Sequence, residues 1–112
     1  MSLQNITFTD KKDTRSGFGV GIHEAGKANE NVVALCADLI GSLKLEKFIE
    51  DFPNRFIQTG IAEANMIGIS AGLAIGGKIP VATTFANFGT GRVYDQIRQS
   101  VAYSDKNVKI CC

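Results

Sequence analysis

The sequence predicts an α/β fold over residues 1–112, a three-layer arrangement with a parallel sheet flanked by helices. Two observations carry the prediction. Short apolar segments alternate with longer stretches of helical periodicity, the order expected of a parallel sheet covered on both faces. The unusual residues also gather in three loops, 38–42, 59–63 and 85–91, each following an apolar segment. In open parallel sheets, ligands sit beyond the carboxyl ends of the strands.

The elements follow in order. Asp13 or Thr14 can cap a helix running to residue 29, with Gly17, Gly19, Gly21 and Gly26 as weak spots. Val32-Val33-Ala34-Leu35-Cys36 reads as a short buried strand. Residues 43–52 form an amphipathic helix with Leu45, Phe48 and Ile49 on one face, stopped by Pro53-Asn54. Residues 55–58 make a second strand, and 61–75 a second long helix with Gly76-Gly77 at its C-cap. Residues 79–84 are a third strand, with Pro80 near its start, where proline is tolerated. Gly89 or Thr90 opens a helix to Tyr103, and residues 107–112 are a fourth strand. A last strand with no helix to cover it suggests a fold incomplete at the C-terminus, a fragment of a longer subunit.

Composition narrows the function classes. With 45% apolar residues and a net charge of +1, the chain reads as an ordinary globular domain. It has no basic face for nucleic acid or an anionic membrane, and no apolar run reaches the ~20 residues that a membrane-spanning helix needs. The N-terminus lacks the long apolar core of a signal peptide. Cys36, Cys111 and Cys112 have no paired metal-site spacing and there is one histidine, so no metal site is expected within the chain. Reduced thiols and a cytoplasmic location are the expectation.

The most informative stretch is Gly60-Ile61-Ala62-Glu63-Ala64-Asn65-Met66, which runs into small apolar residues. It sets one carboxylate at the start of a helix that should be buried, with no basic neighbour in the stretch. Burying an ionised acid is expensive, so its pKa should rise or it should meet a specific partner. Either outcome suits acid/base work; a helix-start glutamate facing water is the competing reading. His23 reads as structural, and Asp95 and Arg98 as a surface pair at helical spacing.

Five segments in order complete the pattern: Asp13-Thr14-Arg15, Ala37-Asp38-Leu39, Gly60-Ile61-Ala62-Glu63 with Met66, Thr84-Phe85-Ala86-Asn87-Phe88, and Tyr94-Asp95-Gln96-Ile97-Arg98. Together, from Phe8 onward, they resemble the pyrimidine-binding domain of thiamine-diphosphate enzymes, above all the C-terminal subunit of split transketolases. The resemblance implies that Glu63 is the catalytic acid that hydrogen-bonds N1′ of the cofactor's aminopyrimidine, favouring the tautomer that can accept the thiazolium C2 proton. It implies that Phe85 and Phe88 line the aminopyrimidine pocket, with Phe88 the stacking partner, and that Asp38 lies near the cofactor. Arg15 and Ser42 correspond to residues contacting the sugar phosphate. One departure stands out: where the family often has a pocket tyrosine, this chain has Gly91, followed by Arg92.

The implied function is ketol transfer between sugar phosphates. Thiamine diphosphate would be shared with an N-terminal, diphosphate-binding partner subunit, which would also hold the magnesium. Deoxyxylulose-phosphate synthase, the beta subunit of 2-oxoacid dehydrogenases and a non-catalytic association module are the alternatives. Helix 61–77, apolar nearly all round, is expected to be covered by another chain in a homo-oligomer such as a dimer.

Overall fold

The computed structural model describes residues 11–112, so the start of the resemblance at Phe8 and the reading of the N-terminus lie outside it. Helix α1 is Thr14–Ala28, followed by strand β1, Val32–Cys36, and short helix α2, Glu46–Asp51. A single 3₁₀ turn, Pro53–Arg55, leads into β2, Phe56–Gln58. Helix α3 is Glu63–Ile75 and β3 is Ile79–Thr83. The short turns α4, Ala86–Gly89, and α5, Tyr94–Gln96, follow, and α5 runs into a π-helical stretch, Ile97–Ala102. Strand β4 is Lys109–Cys111.

The four strands form one sheet in the order β2-β1-β3-β4, and every pairing is parallel. Alternation along β1 separates two cores. Val33, Leu35 and Ala37 face α3, packing with Met66, Ile67 and Ala71. Val32, Ala34 and Cys36 face the other way, onto Ile22 of α1 and onto Leu45 and Phe48. All five β1 residues are buried, as a central strand covered on both faces requires.

Asp13 caps α1: its carboxylate accepts from the Ser16 backbone N–H at 2.9 Å and from the Ser16 hydroxyl at 2.8 Å. These bonds, with the hydroxyl foremost, hold the Asp13 carboxyl below its ordinary value. Two of the four expected weak spots in α1 are points of close approach. A Cβ on Gly19 would lie 2.5 Å from the Lys44 carbonyl oxygen, and one on Gly26 would lie 2.7 Å from the Phe48 ring. Gly17 and Gly21 meet nothing within 4 Å. His23 is buried between α1 and α2, with Nε2 2.7 Å from Asp51 Oδ2, as its structural reading requires. Arg55 closes the far end of α1, donating to the Gly26 and Asn29 carbonyls at 3.0 Å each while lying over Phe52.

Three expected boundaries move. The helix expected from residue 43 starts at Glu46, because residues 40–44 form a tight turn with Lys44 at φ 57°. Helix α3 starts at Glu63 and leaves Ile61 exposed. The helix expected from Gly89 or Thr90 is instead two short turns separated by residues 90–93, the first beginning at Ala86. Among the described residues, no helix is long and apolar enough to cross a membrane.

Candidate functional site

The three loops meet at the carboxyl edge of the sheet, and Gln58 at the end of β2 fastens two of them. Its side-chain oxygen accepts from the Asp38 N–H at 2.7 Å and from the Gly60 N–H at 3.1 Å. The Thr59 N–H and hydroxyl both donate to the Cys36 carbonyl, at 3.0 and 3.2 Å. Gly60 takes φ 68°, a left-handed turn natural to glycine. Asp38 takes φ 60° with its side chain exposed, and α2 has no side-chain cap. Ser42 lies half-buried in the turn before α2, and neither it nor Asp38 caps that helix.

Glu63 opens α3 on the same stripe as Met66, Ile67 and Ser70, the i, i+3, i+4, i+7 face that packs on the sheet. That phase turns its carboxylate inward, and it is only 3% exposed. The water-facing reading does not hold. The partner that a buried acid needs is Arg92, whose Nη1 lies 3.1 Å from each Glu63 oxygen. Sequence reasoning missed this contact because the two residues are 29 positions apart. The only local signal was an arginine standing beside the missing pocket tyrosine.

The Arg92 guanidinium also stacks on Phe88, its central carbon 4.1 Å from the ring centroid. Phe85 stands beside Phe88, ring centroids 6.3 Å apart and tilted by 33°. Phe88 and Glu63 therefore bound one slot, filled by a flat, donor-rich group. Asp38 is joined to this region through Gln58 and Gly60.

Arg15 stands apart from that slot. It lines a cavity of about 200 Å³ together with Phe18, Thr84, Phe85 and Cys112; Ser42 is not among the residues lining it. Thr84 also lines it, and its buried Oγ1 has no hydrogen-bond partner among the described residues. Burial raises the Cys36 and Cys111 thiols above their ordinary values. Among the described residues no group of three metal-ligating side chains occurs.

Residues 10–112 match the family described as transketolase, pyrimidine binding domain. A protein of Methanocaldococcus jannaschii, named provisionally as a transketolase C-terminal section, is 50% identical over 88% of this chain and 31% of its own length. A 6-deoxy-6-sulfo-D-fructose transketolase subunit of Clostridium sp. is 46% identical over 78% of this chain and 27% of its own. A solved structure described as a split gene transketolase, inactive beta4 tetramer, superposes with a TM-score of 0.79 at 47% identity, over 87% of this chain and 32% of that one. The chain thus spans about a third of the length of these relatives. The parallel four-stranded sheet, the buried glutamate opening α3 and the extent of the match lead to one conclusion: the chain belongs to the transketolase pyrimidine-binding domain family of thiamine-diphosphate enzymes.

Proposed function

We propose that this chain contributes the aminopyrimidine half of a thiamine-diphosphate site that transfers ketol units between sugar phosphates. The other half, with the diphosphate and its magnesium, would lie on an N-terminal partner subunit. The observation that carries the reading is the slot between the Phe88 ring and the Glu63 carboxylate. A planar group with edge N–H donors already fits there, because the Arg92 guanidinium occupies it. An aminopyrimidine has the same flatness, and its ring nitrogen would accept a hydrogen bond from the Glu63 carboxyl where the guanidinium donates one.

When bound, the cofactor supplies the carbon nucleophile that carries the ketol unit. This chain's own residues do the rest. Phe88, supported by Phe85, orients the ring by stacking. Glu63, held dry on the inner face of α3, faces the ring nitrogen and moves a proton there, in an environment that excludes water. Asp38, exposed and with its backbone fastened by Gln58, would lie near the cofactor. Arg15 offers a cation to a sugar phosphate from the cavity it lines, and Ser42, outside that cavity, is assigned to the same substrate by the family resemblance alone. The three free cysteines suit a cytoplasmic, reducing setting.

The test is reconstitution. The full chain is mixed with a diphosphate-binding subunit, magnesium, thiamine diphosphate and a sugar-phosphate donor and acceptor, and ketol transfer is followed. Turnover that requires both chains supports the reading. An assembly that forms without binding the cofactor refutes it and favours the non-catalytic association module.

A further inference from the structure

We propose that Arg92 stands in the aminopyrimidine slot as an internal surrogate and holds Glu63 until the cofactor displaces it. The inference rests on the function proposed above and adds a residue to it. The guanidinium covers the two surfaces that a flat ligand would use: its face lies on Phe88 at 4.1 Å, and its edge N–H group donates at 3.1 Å to both oxygens of the Glu63 carboxyl that a pyrimidine ring nitrogen would meet. One slot cannot hold two planar groups, so the cofactor and Arg92 compete.

The two partners differ in freedom, which decides which of them moves. Glu63 is 3% exposed and fixed by the helix that packs on the sheet. The Arg92 side chain is 46% exposed and rises from the short connection between α4 and α5, directly after Gly91. Arg92 can swing into water, where a guanidinium is well solvated, while Glu63 stays. In the cofactor-free chain the same contact neutralises a buried carboxylate that would otherwise stand unpaired. Arg92 thereby keeps the empty half-site folded and sets a threshold for loading. A ligand whose site is open only part of the time shows an apparent affinity reduced by that fraction.

Two measurements test this. The first is calorimetric titration of thiamine diphosphate, with magnesium, into the assembly of the full chain and a diphosphate-binding subunit. Arg92→Ala is expected to tighten binding by about fivefold or more, the scale of an ordinary coupling between competing ligands. Arg92→Lys keeps a countercharge for folding but cannot lie flat on the ring, and is also expected to bind more tightly. The second is heat unfolding of the cofactor-free chain. Arg92→Ala is expected to lower Tm, and Arg92→Ala combined with Glu63→Gln to restore it, because a neutral amide needs no countercharge. Weaker or unchanged cofactor binding in both Arg92 variants overturns the proposal and leaves the function intact. An unchanged Tm in Arg92→Ala overturns the holding role. An assembly of wild-type chains that binds no cofactor overturns the function and the surrogate together.

Discussion

Glu63 owes its position to the phase of α3, and Phe88 owes its role to what lies on its face. The acid follows from local spacing: a carboxylate three, four and seven residues ahead of Met66, Ile67 and Ser70 must share their buried face. Phe88 is half-buried against a guanidinium, so its ring is a platform rather than core filling. Phe88→Ala is therefore expected to weaken thiamine diphosphate binding to the assembled enzyme by roughly 1–3 kcal/mol, as loss of base–aromatic stacking does. Proton exchange on the cofactor that still binds should change much less; equilibrium titration beside exchange kinetics checks both. A second prediction concerns acid. The Asp51 carboxyl is held below its ordinary value chiefly by its hydrogen bond to His23, and then by Lys47. A folded-state pKa below the unfolded one stabilises the fold above the unfolded pKa, and the contribution disappears as pH falls through the folded value. Tm should thus decline below about pH 4, the ordinary carboxylate range, and Asp51→Asn should flatten that part of the profile in a pH series of melting curves. The burial of Glu63, set by neighbours along the chain, was legible in the sequence. The Glu63–Arg92 contact was not, since a pairing across 29 positions exists only after the sheet forms.

Helix α1 shows how one residue type can mean opposite things along a single element. Gly19 and Gly26 are where the helix backbone comes against Lys44 and Phe48; Gly17 and Gly21 face open space. Gly19→Ala would force the turn at Lys44 outward and is expected to destabilise by about 1–3 kcal/mol, the usual effect of overpacking. Gly21→Ala, at an exposed position inside the helix, is expected to stabilise by roughly 0.5–1 kcal/mol. Denaturant unfolding of the two variants checks the pair, and equal effects would contradict the packing described. At this scale periodicity made legible the strands, α1 and the C-terminal end of α3 at Ile75. It concealed what turns encode. The segment from Gly89 or Thr90 to Tyr103 reads as one helix, yet a short turn already forms at Ala86–Gly89, residues 90–93 break the pattern and place Arg92 over Phe88, and α5 with its π-helical continuation begins only at Tyr94. Likewise the turn at 40–44 takes up residues that periodicity assigns to α2.

At the scale of the whole sheet, the proposed half-site lies at the carboxyl ends of the strands, and that placement is the ground for expecting another chain to complete it. The parallel order β2-β1-β3-β4 brings the three predicted loops together, so the fold class and the gathering of those loops were both legible. Substrate contacts were less so: Arg15 and Ser42 do not share the cavity that Arg15 lines. One face of α3 packs on the sheet, while Asn65, Gly68, Gly72 and Ile75 on its other side are exposed, with Ile61 just ahead of them. Sedimentation equilibrium at micromolar concentration is expected to show a dimer or larger species, and the isolated chain is expected to lack transketolase turnover; a clean monomer or robust turnover by the chain alone would contradict these expectations. The central claim is that Glu63 moves a proton at the aminopyrimidine. It is tested most directly by NMR measurement of C2-proton exchange in thiamine diphosphate bound to the assembly of this chain with its diphosphate-binding partner. Glu63→Gln keeps the shape of the side chain and removes the transferable proton. The account predicts that exchange slows by about 10²–10⁴-fold while cofactor affinity changes far less; exchange at the wild-type rate in Glu63→Gln would contradict it.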